Sequence, residues 1–115
     1  MRLNTIRKLY DELNTANFGG RMERPVIRFL RGEAEAKVQD LGRNRPRMRF
    51  NPFAAKTLRE MRATVYHEMV HQYLDYHLGV DQEEDHHGEL FWLVYFTHAT
   101  PSFDWETPFT GEYYE

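Results

Sequence analysis

The segment 54–78 constrains this chain more than any other. Leu58, Met61, Val65 and Met69, with Tyr66, Val70 and Leu74 beside them, recur at helical spacing, and Gly79 follows as a stop. The spacing predicts one long α-helix. Inside it stands His67-Glu68-Met69-Val70-His71. Residues four apart on a helix are rotated by only about 40° and separated by about 6 Å along the axis, so both imidazoles reach one point. His67, His71, Leu74 and Leu78 form a single stripe, which puts the two histidines on a core-facing side. Buried imidazoles and a buried glutamate are costly without partners. A fold built round this helix must bring them hydrogen bonds from the core, or a metal ion.

Composition narrows the choice. The chain has 115 residues, which allows one domain with one modest core. It has no cysteine, so disulfides and thiolate-bound zinc are excluded, and any metal must use His, Asp or Glu. The N-terminal residues show no apolar leader and no run approaches 18 apolar residues, so a cytoplasmic protein that does not engage a membrane is expected. Charge is uneven. All 15 Lys and Arg lie in residues 1–62 beside 7 acids, a balance of +8; residues 63–115 hold 11 acids and no Lys or Arg, a balance of −11. Either the two halves pair with each other, or the basic half faces an anion such as nucleic acid.

Other elements follow from pattern. Leu3, Ile6, Leu9, Tyr10 and Leu13 predict an amphipathic helix over 3–17, which Gly19 and Gly20 end. Residues 25–30, PVIRFL, read as a strand, and EAKVQDL as a weaker one. RNRPRMRFNP alternates: Arg43, Arg45, Arg47 and Arg49 fall on one face, with Pro46, Met48 and Phe50 on the other. That predicts a half-buried strand at a sheet edge, because Pro46 cannot donate to a ladder. The arginine stripe suits phosphates along a nucleic-acid backbone, or equally a charged edge that resists aggregation. Residues 89–99 are apolar almost all round and long enough for a buried helix. Residues 100–115 read as an irregular acidic and aromatic tail docked through Phe103, Trp105 and Phe109.

His67-Glu68-x-x-His71 is the HExxH arrangement of zincins: two histidines hold zinc, and the glutamate takes a proton from the water that attacks a carbonyl. A catalytic site needs a third protein ligand. His77 stands ten residues after His67, but on a helix running to Gly79 it lies about 280° round and about 15 Å along, so it points elsewhere. His86, His87, His98, Glu83, Glu84, Asp85 and Glu89 remain. The chain reverses after Gly79, which favours a residue near the start of the 89–99 helix. Tyr66, Tyr73, Tyr76 and Tyr95 are all candidates to stabilise an oxyanion.

The ordered marks LYDELNTANFGGRM, PVIRF, RMRFNP, TVYHEMVHQYLDYHLG and DHHGELF, spread over residues 7–98, resemble the SprT-like metalloprotease domain, the core of the Spartan group. The resemblance implies an α+β, zincin-like single domain over 1–115: an N-terminal helix and a small three-stranded sheet packed on the HExxH helix and a second buried helix. It implies a zinc-dependent endopeptidase acting on DNA-associated proteins. It assigns His67, His71 and His87 as zinc ligands and Glu68 as catalytic base, and gives His86 no role. Larger members carry a Cys-rich zinc ribbon that this sequence lacks, so recruitment to DNA would fall to Arg43, Arg45, Arg47 and Arg49, or to a partner chain. A non-catalytic zinc-stabilised module that binds nucleic acid or protein is the alternative, as is a metal-dependent hydrolase of a non-protein amide.

Overall fold

The computed structural model describes residues 2–29, 36–40, 46–51, 53, 55–80 and 87–99. Its elements run α1 (Leu3–Phe18), β1 (Val26–Phe29), β2 (Ala36–Asp40), β3 (Pro46–Phe50), α2 (Leu58–Gln72) and α3 (Glu89–His98), an α+β fold. Among the described residues no helix is long and apolar enough to cross a membrane.

α1 ends where the sequence places its stop. Gly19 adopts φ 63°, a left-handed conformation that a Cβ would strain, and the amide of Gly20 reaches back to the Asn14 carbonyl at 2.9 Å. Asn14 then holds the turn from the other side: its Nδ2 donates to the Met22 carbonyl at 2.8 Å, and its Oδ1 accepts from the Met22 amide at 3.2 Å. The chain is thereby aimed into β1.

The sheet order is β1-β3-β2, with β1 parallel and β2 antiparallel to β3. β3 is therefore the central strand, where Pro46 predicted an edge. The proline is tolerated because it is the first residue of the strand: it faces Asp40 of β2, and pairing with β1 begins one residue later, at Val26 and Arg47. The alternation survives. Pro46, Met48 and Phe50 are buried, while Arg47 and Arg49 are half-buried on the opposite face. Register sets Arg28 of β1 beside Arg49.

α2 is the centre of the molecule. Every residue from Ala63 to Gln72 is buried. α1 packs against it through Ile6, Leu9, Tyr10, Leu13 and Phe18, which join Met61, Val65, Tyr66, Met69 and Val70 in one core. The helix starts at Leu58, not near 54, because Thr57 caps it. Thr57 Oγ1 accepts from the Glu60 amide at 3.1 Å and lies 3.3 Å from Glu60 Oε1. At its far end the winding widens into a π turn, Tyr73–His77, closed by the Leu78 amide on the Tyr73 carbonyl at 3.1 Å. Gly79, at φ 63°, ends the segment.

α3 differs from the buried helix that its composition predicts. Phe91, Val94 and Tyr95 are buried, but Leu90, Trp92, Leu93 and Phe96 are exposed. The helix packs on α2 along one side, so only the i, i+3, i+4 stripe finds partners. The tail at 100–115, with Phe103, Trp105 and Phe109, lies outside the described residues.

Candidate metal centre

The two histidines of α2 and one from the start of α3 converge. His67 Nε2 lies 3.3 Å from His71 Nε2 and 2.9 Å from His87 Nε2, and His71 and His87 are 3.3 Å apart at the same atoms. These three residues are the group of metal-ligating side chains found among the described residues. The first pair meets because α2 is regular through Gln72, so that a four-residue spacing stacks both rings on one face. The third arrives because α3 runs against α2 and begins one residue after Gly88.

Three Nε2 atoms cannot all satisfy one another. A neutral imidazole carries a single N–H, so within such a triangle at least one pair must face lone pair to lone pair or proton to proton. An ion removes that conflict. A tetrahedral zinc ion about 2.05 Å from each nitrogen sets the nitrogens roughly 3.3 Å apart, which fits the observed triangle. Imidazole donors also suit copper, iron and nickel, so the donors alone do not select the metal. Electrostatics favour the ligand form. Burial first, then the neighbouring His71 and His87, holds the His67 imidazole well below its usual range, which leaves the ring neutral with a lone pair to give.

Two features brace the triangle, and pattern reading on its own finds neither. The Phe91 ring lies under all three imidazoles, with centroid distances of 4.8 Å to His67, 4.7 Å to His71 and 4.9 Å to His87. It is 1% exposed. Its signal in the sequence is the spacing His87-Gly88-x-x-Phe91, which returns a ring to the ligand one turn into α3. The second brace is Tyr66, whose hydroxyl donates to the Tyr95 carbonyl at 2.6 Å and ties α2 to α3 one residue before His67. Burial pushes this phenol above its usual range and keeps it a donor. On the far side of His71, Gln72 accepts from the Tyr10 hydroxyl at 2.7 Å and donates to the Glu23 carbonyl at 2.9 Å, which anchors the end of α2 to α1 and to the approach to β1.

Glu68 is 1% exposed and leaves α2 about 100° round from His67, between the two ligands in height. The remaining candidates separate cleanly. His77 is exposed at the end of the π turn, stacked on Tyr73 at 5.1 Å. His98 is half-buried against Phe18 and Tyr73, and its Nδ1 lies 3.0 Å from the Val94 carbonyl, so it packs α3 onto α1. Tyr66 spends its hydroxyl on Tyr95. Tyr76 lines a separate polar cleft with Arg21, Glu23 and Asp75. Arg47 and Arg49 lie on the sheet face opposite the core, joined there by Arg28, which alternation within one segment does not reveal. Arg43, Arg45, His86, Glu83, Glu84 and Asp85 lie outside the described residues.

No family model, curated protein or solved structure matches this chain. The reading of the site therefore rests on its own geometry. That geometry shows three histidines, two from α2 and one from the turn just ahead of α3, two of them buried and one half-buried, positioned to bind one metal ion.

Proposed function

We propose that this chain is a zinc-dependent endopeptidase with a zincin-like fold of the SprT-like kind, acting on proteins associated with DNA. The observation that carries the reading is the meeting of three ring nitrogens within 3.3 Å of one another on a helix that also buries a glutamate between two of them. A purely structural zinc site needs ligands and has no use for that carboxylate. The order of elements supports the fold assignment: an N-terminal helix, a three-stranded sheet, the HExxH helix, and a following helix with the third ligand just ahead of its first turn.

Bound zinc would supply Lewis acidity, bringing the pKa of water towards about 7 and polarising a carbonyl oxygen. The remaining work belongs to the chain. His67, His71 and His87 would hold the ion through Nε2. Glu68 accepts the proton released by water and returns it to the leaving amine. Phe91 closes one side of the three imidazoles to solvent and fixes their planes. Recruitment to DNA is supported by the sheet. Arg28 and Arg49 face each other across β1 and β3, and like charges so placed repel unless an anion lies between them. A phosphate backbone supplies that anion.

The test compares wild type with Glu68→Gln. Zinc content by atomic absorption and cleavage of casein and of a DNA-bound protein are measured for each. Both proteins should hold about one zinc per chain, and only wild type should cut. If neither cuts, the catalytic reading falls, and zinc retained in both would leave a non-catalytic zinc-stabilised module.

A further inference from the structure

α3 presents an apolar face that its packing leaves uncovered. Phe91, Val94 and Tyr95 turn inward, while Leu90, Trp92, Leu93 and Phe96 are 40%, 37%, 62% and 51% exposed. Single exposed apolar side chains are ordinary, but four large ones on a ten-residue helix make a contiguous patch, and such patches mark interaction surfaces. The patch is a shallow, open depression rather than a closed pocket. His87, Glu89, Trp92, Leu93 and Phe96 border a groove of about 840 Å³, within the range of sites that take a side chain or small ligand. The Trp92 and Phe96 rings stack at 5.9 Å and 27°, forming a flat aromatic wall. One end of the groove is bordered by His87, whose Nε2 belongs to the metal-binding triangle. An occupant that reaches this end of the groove lies beside the metal centre.

Charge selects the occupant. Glu89 is the acid bordering the groove, and residues 63–115 contain no Lys or Arg. Among the described residues that border the groove there is one acid and no Lys or Arg, a lining that favours a basic neighbour beside an apolar side chain over a nucleic-acid backbone. We infer that the exposed face of α3 is a subsite for the substrate polypeptide, and that it takes a large apolar residue flanked by Lys or Arg. This rests on the endopeptidase reading, because it is the placement beside the metal centre that makes the occupant a substrate.

Binding and cleavage test the two separately. Fluorescein-labelled peptides carrying Lys-Phe-Lys, Lys-Gly-Lys or Asp-Phe-Asp at the centre are titrated into zinc-loaded Glu68→Gln protein and followed by anisotropy. The Lys-Phe-Lys peptide should bind about tenfold more tightly than Lys-Gly-Lys, the difference expected for a partly buried apolar side chain, and more tightly than Asp-Phe-Asp, whose carboxylates meet Glu89. Leu93→Glu and Phe96→Glu, both at exposed positions, should lower the affinity of the Phe-containing peptide to that of the glycine peptide with zinc content unchanged. Equal affinity for all three peptides, or no effect of either substitution, overturns the subsite. So does binding that emerges only when Phe103, Trp105 and Phe109 are replaced by Ser, which would assign the groove to the chain's own tail. So does a dimer that Leu93→Glu dissociates in sedimentation, which would assign it to a second copy. Selective binding without casein cleavage by wild type would keep the groove as a peptide site and discard the protease. Cleavage indifferent to the groove variants would do the reverse.

Discussion

At the scale of single residues, the site depends on a side chain that is not a ligand. Phe91 touches all three imidazoles within 0.2 Å of the same distance, so it sets the planes in which the lone pairs lie. Phe91→Ala removes that platform and opens a core cavity. Such substitutions cost about 3–5 kcal/mol, and the metal should be held more loosely even where the fold survives. Phe91→Leu, which fills more of the space, should recover most of the stability by urea denaturation but not the zinc affinity measured by competition with a chromophoric chelator. Equal zinc affinity in both variants and wild type would make Phe91 ordinary core. His67, Glu68 and His71 were legible because five consecutive residues carry both the helix and the chemistry. His87 was not selected by spacing, since several residues after Gly79 stood open. The resemblance chose it, and the ring nitrogens now meet where that choice requires. Phe91 shows in the sequence as the last residue of the DHHGELF mark, but nothing in that spacing says that its ring meets all three imidazoles.

At the scale of elements, local signals located the helices better than the sheet. Thr57-Leu58-Arg59-Glu60 carries a capping box in plain view, yet hydrophobic periodicity alone runs the helix back to about 54. The cap fixes the start. Thr57→Ala should cost about 1 kcal/mol by denaturant midpoint, and Thr57→Ser should cost much less, because the hydroxyl that accepts from the Glu60 amide is kept. Strand order is a different matter. β3 sits between β1 and β2 although β2 separates it from β1 along the chain, and nothing in the alternation of Arg47, Met48, Arg49 and Phe50 states on how many sides the strand is paired. Pro46 pointed to an edge only if it lay inside the ladder; at the strand's first residue it carries no such information. The π turn at Tyr73–His77 was equally hidden, since periodicity over five residues does not tell a wide turn from a regular one. The exclusion of His77 survives it, with the ring exposed beside Tyr73.

At the scale of the whole molecule, two sets of contacts hold the helices together, and pH and metal address them separately. Tyr10 and Tyr66 bind α2 to α1 and to α3 through buried hydroxyls, and burial raises both phenols above the ordinary value of about 10. Below that value both folded and unfolded states keep these protons and the two groups leave stability unchanged with pH. Above it the unfolded chain releases protons that the folded chain retains, so stability falls as pH rises past about 10. Metal-free protein should therefore lose urea resistance between pH 10 and 12, with a shallower loss in Tyr66→Phe. The metal acts on the same α2–α3 junction from within. Two of its ligands stand on α2 and the third just ahead of α3, so an ion bound there joins two elements through His71 and His87, which are 16 positions apart. An ion held by the folded state alone stabilises it by about 2.7 kcal/mol at a hundred times its dissociation constant, roughly 10 °C in Tm for a domain of this size. Excess chelator should lower Tm by about that amount at pH 7.5, and added zinc should restore it. His87→Ala should abolish most of the shift, because the junction then loses its only described ligand on the α3 side. His77→Ala should leave the shift intact, since its ring stacks on Tyr73 away from the triangle. A chelator shift that persists in His87→Ala would mean that the ion does not bridge the two helices, and the assembled site would have to be redrawn around α2 alone.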